Sequence, residues 1–374
     1  MPELRIGVFT GSRAEYGLMR HLIGAIAADP GLALQLIVSG SHLSDRYGRT
    51  LNEIEADGHQ PAALVPLSLD RLPQLSMAAL TAEAMAGVDQ ALQGLQPEIL
   101  ILLGDRYEAF AAAAAAHLRG IPVAHLHGGE TTEGAVDDRL RHAITQLSSW
   151  HFTAAEPYRQ RVIAMGHPPE RVFNVGPMVL DGLLSAPPAC RMAFEQSTGF
   201  RFGPLNLLVT YHPETLCSDL GVAGFSALLS ALEQNPCHVL FTHPNADAGS
   251  DQLLAMLEQF VRSHPERCWS LPSLGQQRYL AALQLFEAMA GNSSSGVIEA
   301  PLLRMPVLNI GDRQAGRLRQ ATVHDVTSEL ASIRSGLERV LSAGQSGDWP
   351  RPRLEPAAGP SMAILRILRS HQSV

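Results

Sequence analysis

The chain has 374 residues, 46% hydrophobic and 17% charged, with a formal net charge of −8 and a pI near 6.0. That length accommodates two hydrophobic cores, and the acidic balance excludes nucleic acid as the main partner while leaving room for a basic pocket around one anionic ligand. Its four cysteines, Cys190, Cys217, Cys237 and Cys268, show no C-x-x-C pairing, which excludes a disulfide frame and a cysteine zinc site and leaves reduced, buried or incidental thiols.

The opening M-P-E-L-R-I-G-V-F-T enters a strand without an apolar leader, so the expectation is a cytoplasmic protein. Arg5–Thr10 reads as that strand, and Gly11–Gly17 as a small-residue turn into a helix running to about Ala28. Backbone N–H groups at such a helix start can hold an anion, and Arg13 can add a cation. The G-x-G-x-x-G of dinucleotide sites is missing, and an ordinary turn fits the pattern equally well. Leu34–Val38 is a second strand running into Ser39-Gly40-Ser41-His42, and Ser44–Gly58 is expected to be helical. By position alone His42 is a surface or cap histidine.

Ala78–Leu95 reads as a helix, Ile99–Leu103 as a strand, Glu108–Leu118 as a helix and Val123–Leu126 as a strand. This alternation predicts a parallel sheet covered on both faces. The most apolar stretch, Ala109–Leu118, is too short and too polar at its flanks to cross a bilayer, so no membrane partner is expected. Between Gly104 and His142 the sequence crowds Asp105, Glu108, Glu130, Glu133, Asp137 and Asp138 with Arg106, Arg141, His125, His127 and His142. Asp137 and Asp138 open a helix predicted over Asp137–Ser148 and suit the positive end of its dipole. Six carboxylates after two buried strands exceed what capping requires, and ligands bind at the carboxyl edge of such sheets.

His151–Thr153 and Val172–Val175 are short predicted strands, and Gly176-Pro177 with Pro187-Pro188 marks a linker. A second series follows. Asn206–Tyr211 ends at His212-Pro213-Glu214, Val239–Thr242 at His243-Pro244-Asn245, and Pro306–Ile310 at Gly311-Asp312-Arg313. The Ser-rich turn Asn292–Gly296 can present N–H groups and hydroxyls to a phosphate, with Glu299 placed to accept from ribose hydroxyls and Arg313 to pair with the anion; a capped helix and a surface arginine fit the local sequence too. Gln345–Pro360 is the loosest stretch, and Met362–Leu368 an amphipathic helix. The expected domains are residues 1–180 and 190–355, with 360–374 a helix packing across their junction.

In this order the motifs T-G-S-R-A-E-Y-G, G-S-H-L, G-D-R-Y-E, H-G-G-E with D-D-x-x-R-H-A-I-T, H-P at His212, P-N-x-D-A-G-S and G-N-S-S-S-G-V-I-E-A-P with G-D-R-Q-A-G-R cover nearly the whole chain. Together they resemble the UDP-N-acetylglucosamine 2-epimerases, in the hydrolysing branch that feeds sialic and legionaminic acid synthesis. The resemblance implies an α/β fold of two Rossmann-like domains, glycosyltransferase-B type, with the sugar nucleotide in the interdomain cleft. It implies loss of the carbon 2 proton with expulsion of UDP to a glycal, then addition of water. Neither a cofactor nor a metal is needed for that chemistry, and the implied oligomer is a homodimer or homotetramer.

By resemblance Asp105, Asp137 and His212 fall on catalytic positions. Arg13, Asn245, Ser293, Ser294, Glu299 and Arg313 fall on nucleotide-binding ones, with His42 and Arg106 in motifs that line the substrate. One departure stands out: sialic-acid members carry H-I-E-G-G-E where this chain has H-L-H-G-G-E, and the loop that follows is one residue longer here. Either Glu130 or His127 could supply the second acid, and the altered motif looks closer to enzymes acting on a 2,4-diacetamido-2,4,6-trideoxy sugar nucleotide. A glycosyltransferase of the same fold, a non-hydrolysing epimerase and a non-catalytic sugar-nucleotide sensor are the competing readings.

Overall fold

A computed structural model describes residues 3–45, 48–71, 75–131, 136–214, 217–244, 249–346 and 359–370. Glu133, Asn245 and most of Gln345–Pro360 lie outside these. The chain divides into two compact units, Met1–Gly182 with Glu355–Val374, and Leu183–Leu354.

The first unit is built on seven strands, β1 (Leu4–Thr10), β2 (Leu32–Ser39), β3 (Ala63–Val65), β4 (Ile99–Leu103), β5 (Val123–Leu126), β6 (Trp150–Thr153) and β7 (Val172–Asn174). They lie in the order β3-β2-β1-β4-β5-β6-β7, and every pairing is parallel. Helices cover both faces, so the strands are apolar on both sides: Ile99, Ile101 and Leu103 enter one core with Ile6 and Val8, while Leu100 and Leu102 enter the other with Phe9 and Val123. The helix Tyr107–Leu118 buries Ala111 to Ala116 without a break. Its small side chains let it pack against two neighbours, the helices Met77–Leu95 and Val136–Leu147.

The helix Pro360–Ser370 completes this first unit. Ile364, Leu365 and Leu368 are buried in the same core as Met19 and Leu22, each contributing about 1.5–3 kcal/mol of apolar burial. Asp181 Oδ2 accepts from the Ser361 amide at 3.0 Å, and Arg369 pairs with Asp29.

The second unit carries six strands, β8 (Asn206–Thr210), β9 (His238–Thr242), β10 (Cys268–Leu271), β11 (Ala288–Gly291), β12 (Val307–Ile310) and β13 (Val323–Val326). Their order is β10-β9-β8-β11-β12-β13, again all parallel. Leu207 and Val209 face one core, Leu208 the other, where Phe194, Phe200 and Phe286 cluster.

The helix expected over Ser44–Gly58 is a correction: among the described residues of that range only Leu51–Ala56 is α-helical, after a 3₁₀ turn at Gly40–Leu43. Gly48 and Arg49 both take positive φ, which no right-handed helix accommodates. All four cysteines are free thiols. Among the described residues no helix is long and apolar enough to cross a membrane.

Candidate active site

Both sheets reverse their strand order once, between β1 and β4 in the first unit and between β8 and β11 in the second. At such a point neighbouring loops diverge and open a crevice beyond the carboxyl ends of the strands.

In the first unit the turn after β1 is set by a capping box. Ser12 Oγ accepts from the Glu15 amide at 3.4 Å, and Glu15 reaches back one residue further than usual to accept from the Gly11 amide at 2.7 Å. Glu15 is 5% exposed. Desolvation pushes its carboxyl up to about 7 against the opposing Gly11 hydrogen bond, and the neighbouring Glu108 adds to the rise. Glu108, fully buried after β4, takes two hydrogen bonds from Arg106, at 3.2 and 3.0 Å, and Arg106 Nε also lies 3.8 Å from Glu15. Gly40 meets this turn from β2 with φ +60, and a Cβ there would sit 2.4 Å from the Gly11 carbonyl oxygen, so only glycine allows the approach.

Beside it runs a chain of charged groups. Asp105, directly after β4, pairs with Arg141 of the helix Val136–Leu147. Arg141 Nη1 stands 3.4 Å from Glu130 Oε2, and Glu130 Oε1 is 2.8 Å from His127 Nδ1. The Met178 amide donates to His127 Nε2 at 3.0 Å. The H-G-G-E turn that delivers Glu130 is sterically exacting: a Cβ at Gly129 would lie 2.5 Å from the Tyr158 carbonyl oxygen. Asp137 occupies the first turn of the same helix as Arg141, and its carboxyl is held above the ordinary range by partial desolvation and then by the charge of Asp105.

In the second unit an amide gathers the crevice. Asn292, fully buried after β11, accepts from the His212 amide at 2.7 Å and donates to the His212 carbonyl at 2.9 Å. Its own carbonyl receives Arg313 Nη1 at 3.2 Å and Gln314 Nε2 at 2.9 Å. Buried Glu214 takes the Tyr211 hydroxyl at 3.1 Å and lies 3.5 Å from Asn292 Nδ2. Burial, helped by the positive charge of Arg313, pushes the His212 imidazole down to about 4, so it is neutral at pH 7. Ser293 caps the short helix Ser294–Ile298. Glu299 follows that helix beside Tyr279 and Ser295; burial raises its carboxyl, opposed by those two hydroxyls.

The structure thus brings Asp105, His127 and Glu130 into one chain with Asp137 alongside, and sets His212, Ser293 and Arg313 around Asn292. Ser294 and Glu299 bracket the helix that follows, and Arg106 is already occupied by Glu108. Two residues sit apart from these groups. Arg13 is exposed and ion-paired to Glu53 at 3.0 Å. His42, expected at the surface or as a cap, is instead fully buried, with Nε2 3.0 Å from Thr10 Oγ1 and Nδ1 2.8 Å from Thr50 Oγ1. Among the polar residues of these networks that the sequence did not single out as site residues are Glu15, Arg141, Glu214 and Asn292. The S-x-x-E spacing at Ser12–Glu15 was the one available signal, since it marks a capping box. Among the described residues no group of three or more His, Cys, Asp or Glu side chains is arranged to hold a metal ion.

Two parallel-sheet α/β units, each with its polar residues at the switch point, define a chain of the glycosyltransferase-B class of fold. A sequence model of the family described as UDP-N-acetylglucosamine 2-epimerase matches residues 24–356, and the chain belongs to that family. It is 35% identical over 333 residues to the UDP-N,N'-diacetylbacillosamine 2-epimerase (hydrolyzing) of Legionella pneumophila, covering 89% of this chain and 88% of the relative. Over 343 residues it is 33% identical to the GDP/UDP-N,N'-diacetylbacillosamine 2-epimerase (hydrolyzing) of Campylobacter jejuni, covering 91% and 88%. The fold matches the crystal structure of UDP-GlcNAc 2-epimerase from Neisseria meningitidis bound to UDP-GlcNAc, with a TM-score of 0.77 at 17% identity over 98% of this chain and all of that one.

Proposed function

We propose that this protein is a hydrolysing 2-epimerase of a UDP-linked 2-acetamido sugar. The observation that carries the reading is the chain Asp105–Arg141–Glu130–His127 at the switch point of a sheet whose family acts as sugar-nucleotide epimerases. Removal of a ring proton at carbon 2 needs a positioned base, and Arg141 holds two carboxylates in place, those of Asp105 and Glu130. Departure of UDP from carbon 1 leaves a glycal, and water adds to it with return of a proton to the opposite face of carbon 2. Asp137, with its raised carboxyl, suits the acid for that return.

The Ser293 turn and Arg313 suit the diphosphate, and Glu299 the ribose hydroxyls. The first unit would therefore handle the sugar and the second the nucleotide. The H-L-H-G-G-E form and the names of the two relatives favour a 2,4-diacetamido-2,4,6-trideoxy sugar over N-acetylglucosamine. A homodimer or homotetramer in the cytoplasm completes the proposal.

The test is incubation of the purified protein in deuterated water with UDP-N-acetylglucosamine and with the diacetamido analogue, followed by NMR. Release of UDP with deuterium at carbon 2 of the free sugar is the expected result. Absence of UDP release with both substrates sinks the reading, and an epimerised sugar still attached to UDP replaces it with the non-hydrolysing reaction.

A further inference from the structure

His127 is engaged at both ring nitrogens, and the two contacts fix its tautomer. The Met178 backbone nitrogen lies 3.0 Å from Nε2. An amide can only donate, so Nε2 carries the lone pair and the proton of the neutral ring is on Nδ1. That proton points to Glu130 Oε1, 2.8 Å away. The backbone holds the ring in place: φ is +64, an uncommon left-handed value for a residue other than glycine, and the His127 amide donates to the Phe152 carbonyl at 2.9 Å. The side chain is 14% exposed.

We propose that His127 is a positioning residue for the 2-epimerase reaction: as a fixed Nδ1–H donor it aims the Glu130 carboxylate and, through Arg141, the Asp105 carboxylate, and it exchanges no proton with substrate. The inference rests on the functional reading above and decides between the two residues that the sequence left open. A general base must turn a lone pair toward the proton it takes, and the lone pair of His127 is held by the Met178 amide. Its one proton is held by Glu130. The carboxylates are the groups left to move protons, and the histidine sets where one of them stands.

Two measurements test this. In protein labelled with ¹⁵N-histidine, two-bond ¹H–¹⁵N correlation at pH 7.5 reads the tautomer of the resonance that disappears in His127→Asn. The Nδ1–H pattern is expected; an Nε2–H pattern or an imidazolium overturns the proposal whatever the substrate. In kinetics, His127→Asn keeps an N–H donor close to the Nδ1 place and tolerates the left-handed backbone. Its kcat is expected within about tenfold of wild type, with the pH profile of kcat unmoved.

His127→Gln carries its amide out toward the Nε2 place and removes the histidine's N–H from Glu130 Oε1. Its kcat is expected to fall about 100-fold at nearly constant KM. Loss of kcat in His127→Asn as large as in His127→Gln, with one limb of the pH profile gone, makes His127 itself the proton carrier. Full kcat in both variants, with only the melting temperature lowered, makes it a packing residue. Either result overturns the proposal. A wild-type protein that turns over no UDP-sugar defeats the functional reading instead, and the tautomer measurement still decides the geometry.

Discussion

The two switch points share a topology and differ in what they are made of. In the first unit it is lined by ionisable groups, two carboxylates to each arginine: Asp105 and Glu130 on Arg141, Glu108 and Glu15 around Arg106. In the second a neutral amide, Asn292, binds the main chain of His212 on one side and Arg313 with Gln314 on the other. The difference teaches that a doubly wound sheet fixes where a site lies and says nothing of its chemistry. Charge pairs suit proton traffic, because their pKa values respond to each other. An amide clasp suits a fixed cradle, because the amide itself carries no titrating group.

The largest effect expected from this contrast is in the first unit. Asp105→Asn should lower kcat by about 10²–10⁴-fold while isothermal titration finds UDP binding nearly intact. A parallel loss of UDP affinity would erase the division of labour. Next, Asn292→Ala should weaken the second unit itself, by about 1–3 kcal/mol for each buried group it leaves without a partner. Urea unfolding followed by hydrogen exchange should place that loss in Leu183–Leu354, and an unchanged unfolding free energy would show the clasp to be incidental.

Acid sharpens the comparison further. Burial pushes the His42 imidazole down to about 4 and those of His125 and His151 to about 3 in the first unit, against His212 alone near 4 among the described histidines of the second. Each is neutral when folded and takes a proton on unfolding below the ordinary value of 6.5. Stability is therefore full above that pH and falls toward pH 3–4, by about 1.4 kcal/mol per pH unit for each histidine. Hydrogen exchange between pH 7 and pH 4 should open residues 1–182 before 183–354. The smallest effect has the opposite sign. Glu15, raised from 4.5 to about 7, favours the folded state when protonated, and that contribution fades as pH rises through 7. Glu15→Gln should raise the melting temperature relative to wild type at pH 8 and leave the difference near zero at pH 4.5.

How far the sequence reached follows from burial. β4 and β5 were legible to the residue because they are apolar runs buried on both faces. Among the strands the sequence did not mark, A-L-V, C-W-S-L and V-H-D-V are three or four residues long and only partly covered, too short for a periodicity to show. At the site, Asp105 and His212 each stand just beyond a strand, in clusters the sequence marks, and their catalytic assignment came from the family resemblance. Asn292 was visible as a turn residue, but its role depends on His212, eighty positions away, and only folding brings that peptide within reach of its amide. Arg141 was legible as a member of the charged cluster between Gly104 and His142, and its burial shows which two carboxylates it serves, Asp105 and Glu130.

The segment Pro360–Ser370 belongs to the first unit, although the whole of Leu183–Leu354 intervenes in the chain. The first unit is therefore discontinuous and the second is not. During synthesis the first unit has all seven strands in hand by Asn174, yet the core around Met19 and Leu22 waits, one helix short, until translation has passed residue 370. A chain cut short before that point would leave the first unit with an open apolar groove where Ile364, Leu365 and Leu368 belong.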